Sequence, residues 1–502
     1  MKYRSSRGGY KPVSSAEAIK MGISPDGGLF VPDFVPRLDK DVFGRMEGLS
    51  YQERTCIVME KYLSEFSTDE IEECIYGAYN QESFDDERIA PVVKISDNLF
   101  IQELWHGPTC AFKDMALQIL PHLLTASLRK TEEKSEILIL VATSGDTGKA
   151  ALEGFKDVAG ARVIVFFPEE GVSEIQKYQM ITQEGQNVYV AAVRGNFDDA
   201  QTGVKEVFAS EEFAGILSRY NIKMSSANSI NWGRLLPQIV YYVSAYVDLK
   251  TAGDIREGET INIAVPTGNF GNILAAYYAG KMGVPINKLI CASNSNNVLA
   301  DFIKTGVYDS NRRFHKTISP SMDILISSNL ERLLYEVTDH DYCKVANWME
   351  ELKCRGRYVV DEPTKQEIQA LFWADFCSDP ETIETIRSTW LEKKYLLDTH
   401  TAVAVNVCTK YREATSDASK TVVVSTASPF KFAGSVAQAI IQPELIQDKS
   451  EFEILELLAS ATGIPVPAAL KDLDKKKVRH NTVTSRERLD KTILSFLNIE
   501  SS

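Results

Sequence analysis

Cysteine and histidine are scarce in this chain. Its 502 residues include 8 cysteines, which are scattered without a C-x-x-C pair, and 6 histidines, none of them paired at the spacing of metal ligands. A disulfide framework or a structural zinc site needs such pairs, so this distribution argues against both. We therefore expect reduced thiols, no bound metal and a cytoplasmic protein.

Long apolar runs and a surplus of positive charge are also missing. No apolar stretch approaches the length of a membrane span, and none follows the basic N-terminus as a secretory signal would require. The 69 acidic and 55 basic residues give a formal net charge of −14. This balance argues against nucleic acid or an anionic membrane as the main partner, so we expect no nucleic acid and no membrane among the partners.

Residues 1–95 predict a helical module at the start of a chain long enough for roughly two to four domains. In a capping box, a Ser and a Glu three positions later satisfy each other's backbone donors at the beginning of a helix. This pattern occurs at Ser14 with Glu17, Ser50 with Glu53, and Ser67 with Glu70.

The middle of the chain predicts an α/β fold. Short apolar and β-branched runs occur at 137–141, 163–167, 188–193, 261–265, 289–292 and 422–424. Most are followed by a turn rich in Gly, Ser or Asn and then by a helical pattern. Runs without alternation fit strands buried on both faces of a parallel sheet, and ligands of such sheets bind at the carboxyl ends of the strands.

Two loops after predicted strands could bind an anion. Residues 267–272 (TGNFGN) follow one strand and lead into a helix whose free N–H groups favour a phosphate. The alternative interpretation is that the loop at 267–272 is a structural turn without a ligand. Residues 142–150 (ATSGDTGKA) follow another strand but are not a nucleotide-binding P-loop, because Thr143 stands where Gly is needed and Ala150 where Ser or Thr is needed.

Lys113 is the candidate reactive lysine. It lies at the predicted start of a helix, where its charge is unfavourable, between the apolar residues Phe112 and Met115. Partial burial would favour the neutral amine that Schiff-base chemistry requires, whereas a solvated lysine is the alternative. Pro121 predicts a kink or a break in the helix that follows.

Nine motifs along the chain carry a resemblance to a known family. They are 3–8 (YRSSRG), 26–29 (DGGL), 106–114 (HGPTCAFKD), 143–148 (TSGDTG), 228–234 (NSINWGR), 268–272 (GNFGN), 322–324 with 328–332, 398–402 (DTHTA) and 425–432 (STASPFKF). In order and spacing they resemble the threonine synthase family over nearly the whole chain, although the family's usual Ser-Thr-Arg-Gly is Ser-Ser-Arg-Gly here. The length resembles the larger branch, with the fungal and some bacterial enzymes.

The resemblance implies a type II fold of pyridoxal-phosphate (PLP) enzymes, similar to the tryptophan synthase β subunit. It implies parallel twisted sheets flanked by helices, with a helical N-terminal module. The expected division is 1–95, a PLP-binding catalytic region at 96–435, and a C-terminal helical extension at 436–502. The catalytic region would contain a smaller subdomain around 137–200 and a mostly helical segment at 295–420.

The resemblance also implies roles for individual residues. Lys113 would carry PLP as a Schiff base and act as the catalytic base. The cofactor phosphate would be bound by Gly268, Asn269, Phe270, Gly271 and Asn272, and the pyridine nitrogen by the hydroxyl of Thr426. Ser144, Asp146 and Thr147 would meet the substrate carboxylate. Arg234, with Lys149 as the second candidate, would bind the substrate phosphate, unless either residue only forms a structural or surface ion pair.

The implied reaction converts O-phospho-L-homoserine and water into L-threonine and phosphate. A phospho-lyase that releases 2-oxobutyrate, ammonia and phosphate would share every motif, so this alternative stays open. A different class of protein, a non-enzymatic module that binds phosphorylated metabolites, would form no lysine–cofactor bond. We expect a monomer, by resemblance to the larger branch of the family.

Overall fold

The computed structural model describes residues 1–143, 145–170 and 172–500, with the side chains of Lys40 and Asp198 left out. The strands are β1 Tyr3–Ser5, β2 Phe30–Pro32, β3 Val92–Lys94, β4 Leu99–Glu103, β5 Glu136–Ala142, β6 Ala161–Pro168, β7 Val188–Val193, β8 Ile222–Ser225, β9 Ile261–Pro266, β10 Ile286–Ser293, β11 Val307–Asp309, β12 Arg357–Val359, β13 Phe372–Phe376, β14 Thr421–Ser425 and β15 Thr482–Thr484.

The helices connect and cover these strands. They are α1 Ser15–Met21, α2 Lys40–Met46, α3 Tyr51–Tyr62, α4 Thr68–Ala78, α5 Asp114–Leu117, α6 Leu120–Lys130, α7 Asp146–Gly154, α8 Glu174–Ile181, α9 Phe197–Ala209, α10 Glu211–Arg219, α11 Trp232–Thr251, α12 Gly271–Met282, α13 Val298–Thr305, α14 Leu330–Val337, α15 Tyr342–Arg355, α16 Glu362–Leu371, α17 Asp379–Lys393, α18 Thr399–Thr415, α19 Ala433–Ile440, α20 Pro443–Ile446, α21 Glu451–Thr462 and α22 Leu489–Phe496. Short 3₁₀ turns lie at Pro320–Met322, Pro429–Phe432, Leu473–Lys475 and Arg486–Arg488.

Two parallel sheets form the centre of the protein, which confirms the α/β prediction. The larger sheet has the order β13-β10-β9-β14-β4-β3, and only β3 runs antiparallel to its neighbour. The smaller sheet has the order β15-β7-β6-β5-β8 and is parallel throughout. Every run that the sequence predicted as a buried strand lies in one of these sheets. Their apolar residues are buried because helices cover both faces.

The C-terminal segment differs from the helical extension expected at 436–502. Its strand β15 adds an edge to the smaller sheet by pairing with β7, from Thr482 against Ala191 to Thr484 against Val193. A strand of three residues has too little alternation to be recognised from sequence. The segment 295–420 likewise contains the antiparallel pair β11 and β12 and the edge strand β13. The boundaries at 95 and 435 remain predictions.

The N-terminal region is held by the helix starts that the sequence indicated. The boxes at Ser14, Ser50 and Ser67 all have both reciprocal hydrogen bonds. The break predicted at Pro121 is also present, because α5 ends at Leu117 and α6 begins at Leu120. Proline is tolerated in the first turn of α6, where its missing N–H has no helical partner to lose.

The carboxyl ends of the parallel strands position four loops that face one another. The loops after β4, β9 and β14 belong to the larger sheet, and the loop after β5 belongs to the smaller one. A cleft between the two sheets is therefore the expected ligand site. Within the described ranges, no helix is long and apolar enough to cross a membrane.

Candidate functional site

Lys113 lies between the two sheets, directly before α5. The preceding turn from Gly107 to Cys110 follows β4, and the lysine side chain is only 11% exposed. Its Nζ donates to Asp146 Oδ2 at 3.2 Å and to Ser321 Oγ at 3.2 Å. The predicted burial is confirmed, and the solvated alternative is wrong.

The surroundings of Lys113 favour the neutral amine. Burial lowers the pKa of Lys113, and repulsion from Lys431 and Arg234 lowers it further, whereas the carboxylate of Asp146 opposes the shift. A lowered pKa leaves a larger fraction of the amine free to act as a nucleophile or a base near neutral pH.

Two carbonyl groups of the loop at 268–272 are bonded to the segment before α14. Gly268 O accepts from Ser327 Oγ at 2.8 Å, and Asn269 O accepts from the backbone and side-chain nitrogens of Asn329, both at 3.1 Å. Phe270 adopts a left-handed φ of 64° immediately before α12. With these carbonyls occupied, the loop's amides and the helix N-terminus remain for an anion.

A 3₁₀ turn packs closely against this loop. A Cβ atom on Gly268 would lie 2.7 Å from the backbone oxygen of Ser321, so only glycine fits at this position. The backbone N–H of Ser321 donates to His400 Nε2 at 3.1 Å, and His400 Nδ1 lies 3.1 Å from Asp398 Oδ1. The buried His400 therefore fixes the turn that carries the Ser321 hydroxyl to Lys113.

Thr426 lies at the carboxyl end of β14, next to the lysine segment. Its carbonyl accepts from the backbone N–H of Phe112 at 2.8 Å, and Ala427 pairs with Ala111. The threonine is only 6% exposed. This backbone pairing fixes Thr426 beside the segment that carries Lys113, and its contact with the pyridine nitrogen stays a prediction.

The loop after β5 leads into α7, and its residues were predicted to meet the substrate carboxylate at the start of this helix. The prediction for Ser144 lies outside the described residues, and Thr147 is half-buried in the first turn of α7. The side chain of Asp146 is itself a carboxylate, and it lies between Lys113 and Lys431. Although burial opposes ionisation, these lysines hold the pKa of Asp146 well below its usual range. A second carboxylate would be repelled by this side chain, so only backbone groups of Asp146 suit the predicted contact.

The two candidates for a phosphate ligand differ in their partners. Lys149 Nζ forms an ion pair with Glu153 at 2.6 Å and a hydrogen bond with Gln183, so its charge is already compensated. Arg234 is 3% exposed, and its Nη1 donates to Ala227 O at 2.8 Å. In the part of the chain that the structure describes, Arg234 pairs with no acidic side chain and its Nε has no partner.

Burying a guanidinium without an acidic partner costs free energy. Burial lowers the pKa of Arg234 to about 10, because no neighbouring acid offsets the loss of solvation. Buried charges are normally paired, so a bound anion would supply the partner that Arg234 lacks among the described residues. This is the arrangement that a phosphate-binding residue needs before its ligand arrives.

Three polar residues of the site were not predicted from sequence. Ser321 contacts Lys113, whereas Lys431 and Gln176 bind Asp146 at 2.9 and 2.8 Å. Lys431 and the buried pair of Asp398 and His400 belong to motifs already noted for the family resemblance, which was the available signal. Ser321 had no comparable signal beyond the adjoining motif at 322–324.

His106, which directly precedes the turn before Lys113, lies between two carboxylates. His106 Nδ1 lies 2.6 Å from Asp85 and Nε2 lies 2.9 Å from Glu103. Burial lowers the pKa of His106, but the two carboxylates more than offset this effect and raise it from 6.5 to about 9. Stability from this imidazolium is fully present below about pH 6.5 and is lost as the pH rises through about 9.

We therefore expect His106→Gln to lower the free energy of unfolding by about 1–2 kcal/mol at acidic pH, after discounting for the exposed Asp85. The difference should fall towards zero near pH 10. Urea unfolding at several pH values measures it. His122→Gln is the control with the opposite trend, because burial lowers the pKa of His122. A pH-independent loss at His106 would contradict the ion-pair account.

Comparison with known families gives matches along most of the chain. Three family models match in succession: threonine synthase N terminus over residues 2–79, pyridoxal-phosphate dependent enzyme over 85–374, and threonine synthase, C-terminal, over 401–493. The order agrees with the order of the motifs in the sequence.

Individual relatives agree with these matches. The chain is 42% identical over 461 residues to threonine synthase-like 1 of Homo sapiens, covering 90% of this chain but 61% of that protein. It therefore spans about three fifths of that relative's length. It is 38% identical over 468 residues to threonine synthase of Saccharomyces cerevisiae, covering 87% of this chain and 89% of the yeast protein.

Solved structures have the same fold. The PLP-bound threonine synthase from Brucella melitensis superposes with a TM-score of 0.87 at 35% identity, and the yeast threonine synthase with 0.87 at 34% identity. Each superposition covers 99% of both chains. The expected type II fold of PLP enzymes is thereby confirmed.

Proposed function

Because the chain belongs to the threonine synthase family of PLP-dependent enzymes, we propose that it converts O-phospho-L-homoserine and water into L-threonine and phosphate. The observation that carries the proposal is that two features lie close enough for the charge of Arg234 to act on Lys113. Lys113 is a buried amine near a loop whose amides would bind an anion, and Arg234 is a buried cation with no acidic partner among the described residues. Lys113 and its neighbouring loop suit the phosphorylated cofactor, and Arg234 suits the phosphate of the substrate.

The residues of the cleft fit PLP. The amides of 268–272 and the N-terminus of α12 would bind the cofactor phosphate, since the carbonyls of Gly268 and Asn269 are occupied elsewhere. Lys113 would bond the aldehyde carbon, and the Thr426 hydroxyl would donate to the pyridine nitrogen. When bound, PLP supplies an electron sink that stabilises negative charge on the carbons of an amino acid.

Lys113 would move the protons of the reaction. Its lowered pKa suits an amine that removes the proton from the substrate Cα and later returns one. The Ser321 hydroxyl accepts a hydrogen bond from the amine, and His400 fixes the Ser321 backbone, so these contacts restrict the position of the amine. A fixed base of this kind avoids the entropy cost of orienting a free amine.

The substrate's two anionic groups would bind at separate places. Arg234 would bind the phosphate, because a guanidinium forms two parallel hydrogen bonds to a phosphate and this one has an unpartnered Nε. The carboxylate would meet the first turn of α7 through Thr147, backbone amides and Ser144. Lys149 is the weaker candidate for the phosphate, because its charge is already paired with Glu153.

A phospho-lyase is the second candidate, supported by the 42% identity to threonine synthase-like 1 against 38% to the yeast synthase. It would release 2-oxobutyrate, ammonia and phosphate from the same substrate. Both reactions require the same lysine and the same phosphate site. Only the fate of the carbon skeleton separates them.

The test is to incubate the PLP-loaded protein with O-phosphohomoserine and to quantify threonine, 2-oxobutyrate and phosphate together. We expect threonine to equal phosphate. Phosphate matched by 2-oxobutyrate would establish the lyase and retain the site. Protein without substrate controls for phosphate carried through purification. The absence of phosphate release would contradict both reactions and favour a binding module.

A further inference from the structure

A second buried lysine shares the acid that binds Lys113. We propose that Lys431 is a positioning residue for the reaction: it holds one oxygen of Asp146 and so weakens the hold of Asp146 on the Lys113 amine. The inference rests on the proposed role of Lys113.

The carboxylate of Asp146 lies between the side chains of Lys431 and Lys113. Lys431 is fully buried in the 3₁₀ turn Pro429–Phe432, and its Nζ lies 2.9 Å from Asp146 Oδ1 and donates to Thr109 O at 2.7 Å. Lys113 Nζ contacts the other oxygen, Oδ2, at 3.2 Å. Gln176 Nε2 also donates to Oδ1, at 2.8 Å. One carboxylate therefore serves two ammonium groups.

This sharing matters when Lys113 loses its proton. A buried carboxylate whose only counter-ion became neutral would be left as an uncompensated charge, which is strongly unfavourable. Lys431 remains paired with Asp146 whichever form Lys113 takes. Both cofactor binding and proton removal require the neutral form of Lys113. This form can therefore exist while the Asp146 carboxylate remains paired with Lys431.

Other charged groups around the pair do not replace Lys431. Arg234 faces Lys113 from α11 and repels it, but it forms no bond to Asp146. Asp114 and Cys110 adjoin Lys431, and Asp114 is bonded to the backbone N–H and the hydroxyl of Thr109. His400 contacts the Ser321 backbone and not the carboxylate. Lys431 is the cation that directly shares Asp146 with Lys113.

The experiment measures Lys113 in the cofactor-free protein. PLP is removed, and the rate at which the apoprotein captures added PLP is followed by absorbance across a range of pH. Capture requires the neutral amine, so its midpoint reports the ionisation of Lys113. We expect Lys431→Met and Lys431→Gln to move the midpoint to higher pH by about one unit, which lowers capture on the acidic side about tenfold.

Lys149→Met is the matched control, because Lys149 is also a buried lysine bonded to a carboxylate, that of Glu153. It should leave the midpoint unchanged. A double variant, Asp146→Asn with Lys431→Met, guards against misfolding of the single variants, since it removes both charges together. Against the Asp146→Asn background, loss of Lys431 should shift the midpoint by less than in the wild-type background, because only the direct repulsion between the two lysines is then removed.

Two outcomes separate the inference from its premise. An unchanged midpoint in folded Lys431→Met, with capture still dependent on Lys113, would overturn the inference alone. Capture that persists in Lys113→Ala would overturn the assignment of Lys113 itself.

Discussion

Replacing Lys113 with alanine lowers kcat/KM by at least about 10³-fold, because the variant loses both the bond to the cofactor and the base for the Cα proton. Turnover is measured as phosphate release from O-phosphohomoserine. The visible absorbance of the lysine-bound cofactor should disappear together with turnover. The fold should be retained, since removal of the amine leaves Asp146 paired with Lys431.

A chemical rescue controls for indirect damage in this variant. A small primary amine added to Lys113→Ala can take the place of the missing Nζ, so we expect part of the turnover to return with increasing amine concentration. Wild-type protein treated with the same amine is the reference. Full turnover by the variant without added amine would show that another residue performs the chemistry.

Replacing Arg234 with glutamine raises KM for O-phosphohomoserine and lowers kcat/KM by about 10²-fold or more. Charge-assisted hydrogen bonds contribute roughly 1.5–3 kcal/mol each, and the phosphate would lose its paired contact. Initial rates over a range of substrate concentration measure the effect. PLP capture should change little, because the cofactor phosphate is assigned to the loop at 268–272.

Stability provides a second readout for Arg234. Its charge is buried without an acid, so Arg234→Gln should not lower the free energy of unfolding as loss of an ion pair would. Lys149→Gln is the comparison, because it breaks the bond to Glu153 and should destabilise the protein while leaving KM nearly unchanged. The reverse result, with KM raised only in Lys149→Gln, would transfer the phosphate site to Lys149.

Much of the fold follows from local sequence. The capping boxes at Ser14, Ser50 and Ser67 and the break at Pro121 depend on residues within a few positions of each other, so their geometry is encoded locally. The buried strands are equally recognisable, because parallel strands covered on both faces have continuous apolar runs. The short strand β15 has no such run, and its place was not foreseen.

The site was harder to predict from the sequence, because its contacts join residues that are far apart along the chain. Lys113 and Ser321 are separated by 208 positions, and no pattern of apolar residues indicates that they meet. The partners of the Asp146 side chain were missed for the same reason, because Lys113 and Lys431 lie far from it in the sequence. The sequence ranked Arg234 before Lys149 as the phosphate ligand on the shape of the guanidinium, but it did not show that Lys149 has an acidic partner.

The most direct test of the account is to reduce the PLP-loaded protein with borohydride and to locate the modified residue by peptide mass mapping. We predict that the pyridoxyl group is found on Lys113 alone. Modification of Lys431, the other buried lysine beside Asp146, or of any other lysine would contradict the central assignment.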